Sequence, residues 1–253
     1  MRLIFVRHGD PDYENDTLTE AGWIEAKSVA KRIARIDSEC GGIKNIYVSP
    51  LGRARDTASC SIDLLGRKDA ITLDWLREFP ARIHRPDNAQ NKNITWDWLP
   101  SDWTKEKCFY SADDWANNQV MKDGNVLEEY EKVCKGFDEL MESHGYRLHA
   151  GDDGYFYETI APNNDTLVFF CHFGLESVLI SHMINCSPMI LWHNFCALPT
   201  SITTVVSEER RKGVASFRVT GFGDISHLYS DGIEPSFSAR FCECYDNEAE
   251  RHD

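Results

Sequence analysis

The sequence has no long hydrophobic run. Hydrophobic residues make up 42% of the 253 positions, which is ample for a core. No window approaches the roughly 18 uninterrupted apolar residues that a membrane helix needs. The first apolar segment is also too short for a signal peptide, because Arg7 and His8 interrupt it. We therefore expect a globular chain without a membrane partner.

Positive charge is also scarce. Lys and Arg total 27 against 41 Asp and Glu, so the net charge is -14. A surface of this sign repels nucleic acids and anionic membranes, and we expect no nucleic-acid partner. A site for a small anion has to be built locally from a few cations.

Cysteine motifs of the Cys-x-x-Cys type are absent as well. The nine cysteines are an odd number without any Cys-x-x-Cys pair, which is typical of reduced thiols in the cytoplasm. Cys242 and Cys244 form a Cys-x-Cys near the end, but two thiols are too few for a closed metal site. His182 and His193 lack partners at metal-ligand spacing and are interpreted as structural. We expect a cytoplasmic protein without a metal site.

The first informative stretch is a strand pattern that ends in Arg7-His8-Gly9. Residues 2–6 are rich in β-branched and aromatic side chains, which predicts a buried strand. Arg7 and His8 then lie at its carboxyl end, where open α/β sheets bind ligands. A cation and an imidazole beside a glycine suit an anionic substrate, although a strand end that is merely polar is the alternative.

The second stretch follows a predicted strand at 43–48. Ser49 as N-cap and Pro50 as first helical residue predict a helix start there, with Arg53 in or beside the first turn. Free N–H groups and a guanidinium at a helix start favour an anion. An ordinary solvated arginine is the alternative. The preceding helix, with Thr19 as its N-cap, is predicted to cover the sheet.

A third strand end and an isolated carboxyl complete the set. Residues 166–171 have the pattern of a buried strand that ends in His172, and a helix is predicted from 175 to 184. Glu78 is a single carboxyl in an apolar segment, so its pKa could be raised as general-acid work requires. A surface glutamate is the commoner fate of such a residue.

The middle of the chain looks like an insertion. Residues 87–125 combine Asn, Asp and Lys with many aromatics, which is typical of a lid or cap between regular elements. We place a cap at about 82–162 within a single domain of 1–253. A helix is predicted at 125–145, and a hairpin at 146–157 is expected to extend the cap. The apolar segment 189–192 is a candidate interface for a homodimer.

In order along the chain, five motifs resemble the histidine phosphatase (phosphoglycerate mutase-like) superfamily. They are RHG at 7–9, LTEAG at 18–22, SPLGRA at 49–54, LRE at 76–78 and HFG at 172–174. The resemblance spans nearly the whole chain apart from the insertion. It implies an α/β fold, a three-layer α/β/α sandwich with a mixed, mostly parallel central sheet.

The resemblance also implies a covalent phosphohistidine mechanism that needs no metal and no cofactor. His8 would be the nucleophile, with its other ring nitrogen held by a backbone carbonyl. Arg7, Arg53 and His172 would surround the phosphoryl group as two guanidiniums and an imidazolium. Glu78 stands where the family has its proton donor.

One departure favours the phosphatase branch. The linker between His8 and LTEAG lacks the longer substrate loop typical of mutases, so we expect a phosphatase of a small phosphorylated metabolite rather than a phosphoglycerate mutase. Selection of the substrate would then fall to the insertion and to a basic cluster of Arg82, His84 and Arg85. These three either hold a second acidic group or are simply exposed. A non-catalytic phospho-ligand binding module is disfavoured, since a binder needs neither nucleophile nor acid.

Overall fold

The computed structural model describes residues 1–236 and 243–249, so Cys242 of the Cys-x-Cys lies outside the described residues. The strands are β1 (Arg2–Arg7), β2 (Pro11–Asp12), β3 (Thr17–Leu18), β4 (Asn45–Val48), β5 (Ile71–Thr72), β6 (Arg82–Ile83), β7 (Asn93–Ile94), β8 (Tyr146–Gly151), β9 (Gly154–Thr159), β10 (Thr166–Cys171), β11 (Ile202–Arg211) and β12 (Val214–Asp224). The helices are α1 (Glu20–Cys40), α2 (Gly52–Leu65), α3 (Pro100–Trp103), α4 (Gln119–Asp123), α5 (Val126–Ser143), α6 (Phe173–Met183), α7 (Pro188–Asn194) and α8 (Ser226–Ser230).

Eight of the described strands form one mixed sheet in the order β5-β4-β10-β1-β11-β12-β9-β8. Pairing is parallel from β5 to β1. It is antiparallel from β1 to β8. The mixed α/β fold is confirmed. The parallel part is smaller than predicted because the β8–β9 hairpin, expected in a cap, pairs with β12 and extends the antiparallel half.

The central strands are buried on both faces, which explains their continuous apolar sequence. Leu3 and Phe5 of β1 join a core cluster with α5, α6 and α7. Ile4 and Val6 join a second cluster with α1 and α2. Helices therefore cover both faces of the sheet in three layers.

The helix starts follow the sequence in one case and depart from it in another. Thr19 caps α1 as predicted, accepting a hydrogen bond from Gly22 N at 3.1 Å. The prediction that α2 starts at Ser49-Pro50 is wrong, since this helix begins at Gly52. The Ser49 hydroxyl contacts His172. The carboxylate of Asp16 accepts a hydrogen bond from Gly52 N at 2.7 Å, in place of a cap from a neighbouring residue.

Much of the predicted insertion packs into the body. The aromatic side chains of Trp98, Trp103, Phe109 and Trp115 are buried in the core cluster beside α5 and α7. The apolar segment at 189–192 lies in α7, where Met189, Leu191 and Trp192 are also buried. The prediction that this segment forms an interface is therefore wrong. No helix of the described residues is long and apolar enough to cross a membrane.

Candidate active site

Three neighbouring parallel strands deliver the predicted site residues to one edge of the sheet. Arg7 ends β1 and His8 follows it, His172 follows β10, and Arg53 lies in the first turn of α2 after β4. The rings of His8 and His172 have centroids 5.1 Å apart. The positive charges of Arg7 and Arg53 lower the pKa of both histidines. The sheet thus brings four of the predicted residues together.

His8 is held as a neutral imidazole. Its Nδ1 lies 2.7 Å from the carbonyl oxygen of Gly9. Because a carbonyl only accepts, Nδ1 carries the proton and Nε2 keeps its lone pair. Burial lowers the pKa of His8 well below its ordinary value, and the positive charges of Arg7 and Arg53 lower it further. At neutral pH the ring is therefore an uncharged base.

The main chain around His8 is fixed from three sides. His8 N donates to Cys171 O at 3.0 Å, and Thr200 N donates to His8 O at 3.1 Å. Gly9 N donates to Thr57 Oγ1 at 2.9 Å. Gly9 must be small, since a Cβ there would lie 2.8 Å from the carbonyl oxygen of Gly22. These contacts leave the His8 backbone little room to move.

Each arginine is oriented by one terminal nitrogen. Arg7 Nη1 donates to Ala197 O at 2.6 Å. Arg53 Nη1 pairs with Asp16 Oδ1 at 2.7 Å, and its guanidinium lies 5.4 Å from the centre of the Tyr13 ring. Asp16 lies in the linker between His8 and the LTEAG motif and was not predicted from the sequence, because its partners are more than 30 positions away.

His172 contacts the serine that sequence reasoning assigned to a helix cap. Its Nε2 lies 2.7 Å from Ser49 Oγ, while its Nδ1 is buried without a hydrogen-bond partner in the described part of the chain. Burial, followed by His8 and the two arginines, lowers the pKa of His172 well below its ordinary value. The imidazolium implied by the resemblance therefore requires an anion beside the ring.

Glu78 lies at the amino end of α6. Its Oε1 accepts from Phe79 N at 2.8 Å and from Leu175 N at 3.0 Å. Burial raises the pKa of this carboxyl, while the two amides, Arg7 and Arg53 act in the opposite direction. The pKa is raised, as its apolar flanks predicted. Its role as a proton donor stays a prediction.

The basic cluster of the insertion is placed differently. Arg85 Nη1 donates to the carbonyl oxygens of Trp96 at 3.1 Å and Asp97 at 2.5 Å. The same guanidinium pairs with the carboxylates of Asp87 and Asp97. Arg82 and His84 are exposed. Within residues 1–236 and 243–249, none of these three side chains forms a hydrogen bond or ion pair with the predicted site residues at the sheet edge, so their contact with substrate stays a prediction.

Besides Asp16, two further residues near the site had no role predicted from the sequence. Glu176, in the first turn of α6, is buried, and its pKa is raised to about 7 chiefly by burial. The nearby hydroxyl of Thr203 and the charge of Arg7 oppose that rise without reversing it. Trp96 and Glu78 both lie against Gly174. A Glu inside an apolar helix pattern was the one available signal for Glu176.

The two histidines interpreted as structural make internal contacts. His182 Nε2 lies 2.9 Å from Asp138 Oδ1. His193 Nδ1 lies 2.8 Å from Met189 O, and its Nε2 accepts from Trp98 N at 3.1 Å. Among the residues that the structure describes, no group of three or more His, Cys, Asp or Glu side chains could hold a metal ion.

The sequence matches one protein family. Residues 3–145 match the sequence model described as "Histidine phosphatase superfamily (branch 1)", which is more than half of the chain. No curated protein sequence matches.

Solved structures with a similar fold are more distant in sequence. A phosphoserine phosphatase mutant from Entamoeba histolytica in complex with phosphoserine has a TM-score of 0.58 at 20% identity, over 90% of this chain and 98% of that one. The phosphatase from the same organism in complex with 3-phosphoglyceric acid has a TM-score of 0.57 at 22% identity, with the same coverage. A mycobacterial glucosyl-3-phosphoglycerate phosphatase reaches 0.55 at 18% identity, over 88% and 98%. At these identities the likeness concerns the fold.

Proposed function

The chain belongs to the histidine phosphatase superfamily, and from that premise we propose that it hydrolyses a small phosphomonoester through a phosphohistidine on His8. The observation that carries the proposal is the bond between His8 Nδ1 and Gly9 O. It leaves the Nε2 lone pair available in a site with two guanidiniums and a second imidazole. We also propose that the protein acts in the cytoplasm, as its cysteine usage predicts.

In the first step, His8 Nε2 attacks phosphorus, the new P–N bond forms and the P–O bond to the leaving group breaks. Glu78 donates a proton to the departing oxygen, so an alcohol leaves. Arg7 and Arg53 neutralise charge on the equatorial oxygens. Each uses one terminal nitrogen for positioning, which leaves further N–H groups for the phosphoryl group.

In the second step, water attacks phosphorus and gives its proton to Glu78, which is then the acid again. The P–N bond breaks and phosphate leaves, so His8 returns to its neutral form. A bound phosphoryl dianion offsets the two arginines and favours protonation of His172, which adds a third cation. The raised pKa of Glu78 suits both directions of proton transfer.

The proposal is tested with a panel of phosphomonoesters, wild type beside His8→Ala, each with and without EDTA. We expect wild type to release phosphate with EDTA present and His8→Ala to lose activity by at least roughly 10³-fold. An alkaline quench followed by mass spectrometry of peptides should find the phosphoryl group on His8. Unchanged activity in His8→Ala, or abolition by EDTA, overturns the mechanism.

The same assay separates hydrolysis from mutase chemistry. A phosphatase releases one phosphate for each ester consumed, whereas a mutase returns the phosphoryl group to an isomer of the substrate. We expect stoichiometric release.

A further inference from the structure

A tryptophan from the insertion lies against the same backbone point as the proposed proton donor. A Cβ placed on Gly174 would lie 2.4 Å from Cη2 of Trp96 and 2.8 Å from Oε1 of Glu78. The indole edge and the carboxyl oxygen therefore flank Gly174 together. Only a residue without a side chain leaves room for both.

Trp96 is held from its backbone and from its ring. Arg85 Nη1 donates to Trp96 O and to the next carbonyl along the chain. Trp98 N donates to His193 Nε2 at 3.1 Å. The Trp96 ring packs on Trp192, with ring centroids 5.8 Å apart, and Trp192 Nε1 donates to Gly174 O at 2.9 Å. The position of the indole over Gly174 is thus well determined.

The polar surroundings of Glu78 mostly favour its charged form. Two backbone amides donate to Oε1, and Arg7 of β1 and Arg53 of α2 add positive charge. From the other packed elements, Glu176 of α6 and Cys171 of β10 interact with the charge of Glu78. Burial works in the other direction and has the largest effect on this carboxyl. The apolar groups that keep water away from this carboxyl therefore make the largest contribution to its raised pKa.

We propose that Trp96 is a positioning residue for Glu78: the Trp96 ring excludes water from the carboxyl and so favours the protonated form that donates to the leaving group. The inference rests on the proposed phosphatase activity. It also explains the contacts of Arg85, which holds the backbone at Trp96 and so supports the acid rather than the substrate. The insertion thereby takes part in catalysis without touching the phosphoryl group.

The test is the pH dependence of kcat/KM, which reports the free enzyme's acid. Proton donation fails as pH rises through the pKa of Glu78. This pKa therefore sets the alkaline limb, the pH range over which kcat/KM falls as pH rises. Trp96→Ala admits water to Glu78, and we expect the alkaline limb to move down by about one pH unit. At pH values above the alkaline limbs of both wild type and variant, kcat/KM should then be about tenfold lower in the variant. With 4-nitrophenyl phosphate, whose leaving group departs without a proton, the loss should be less than about threefold.

Trp103→Phe is the matched control. Trp103 is a buried tryptophan of the same insertion that packs on Tyr110 and His193. We expect its alkaline limb to stay in place. If Trp96→Ala does not fold, Trp96→Leu should show a smaller movement in the same direction, because a shorter apolar side chain leaves a gap.

Two results overturn the inference. One is an alkaline limb of kcat/KM that does not move in the folded Trp96 variant. The other is an equal loss of kcat/KM on alkyl phosphates and on 4-nitrophenyl phosphate. Either would leave Trp96 with a purely structural role. Failure of the phosphatase proposal looks different, since His8→Ala would then keep the activity whatever the Trp96 variants do.

Discussion

Arg53 at the sheet edge and Arg85 in the insertion are almost equally buried, with side chains 11% and 12% exposed, yet their surroundings differ. Among the residues that the structure describes, Arg53 has one carboxylate partner, Asp16, and a helix start beside it. Within the same residues, Arg85 has two carboxylate partners and two carbonyls. A cation of the first kind has more N–H groups left for an anionic ligand than a cation of the second kind.

The comparison extends to the two regions. At the sheet edge, the side chains proposed to react follow strands whose backbones fix them, and the carbonyl that orients His8 is one residue away. In the insertion, short strands and turns are held by side-chain bonds, such as those of Arg85. In the proposed mechanism the sheet edge therefore places the reacting groups, while the insertion shapes the apolar surroundings of Glu78.

The largest effect should come from exchanging each arginine for methionine. Arg53→Met removes a cation from the phosphoryl site, and we expect kcat/KM to fall by roughly 10³-fold. Arg85→Met keeps the site and loosens only the segment around Trp96, so we expect a loss of less than about tenfold. Steady-state kinetics on one ester measure both. Comparable losses in the two variants would contradict the different roles proposed for Arg53 and Arg85.

Glu78→Gln should have the next largest effect. The amide cannot donate an acidic proton, and general-acid catalysis typically contributes about 10² to 10⁴ in rate. We expect kcat/KM, which reports the steps up to phosphoryl transfer, to fall roughly 10²-fold on an alkyl phosphate and much less on 4-nitrophenyl phosphate. An equal fall in kcat/KM on both esters would show that Glu78 does not protonate the leaving group.

The sequence predicts the sheet edge better than the insertion because its signals are local. A buried strand followed by a histidine is visible within a few residues, as at Arg7-His8-Gly9. The contact of Ser49 with His172 spans 123 positions, and that of Glu78 with Leu175 spans 97. No local pattern encodes such pairs. This is why Ser49 looked like a helix cap and Trp96 had no assigned role.

The hairpin β8–β9 shows the same limit. Alternating residues around a glycine-rich turn predict two paired strands, and the structure has them. Which edge the hairpin extends depends on β12, more than 50 positions later, so its place in the main sheet was not predictable.

Gly174→Ala tests the junction of the two regions. The added methyl group meets both Trp96 and Glu78, so one of them must move. A displaced acid donates its proton less efficiently, and we expect kcat/KM on an alkyl phosphate to fall about tenfold. The alkaline limb should move as in Trp96→Ala. An unchanged pH profile with normal activity would mean that the contact has no bearing on the acid.

The smallest effect on activity should come from Glu176→Gln, whose main consequence is stability. The pKa of Glu176 is raised to about 7 from an ordinary 4.5, so the carboxyl is protonated in both folded and unfolded chains at low pH. As pH rises above 4.5 the unfolded chain ionises first, and folding loses stability until pH passes 7. The cost at pH 8 is about 3 kcal/mol, and glutamine removes it. Urea denaturation should therefore show Glu176→Gln to be more stable than wild type by about that amount at pH 8, and by less than about 1 kcal/mol at pH 5. Equal stability gains at both pH values would mean that the ionisation of Glu176 does not account for them.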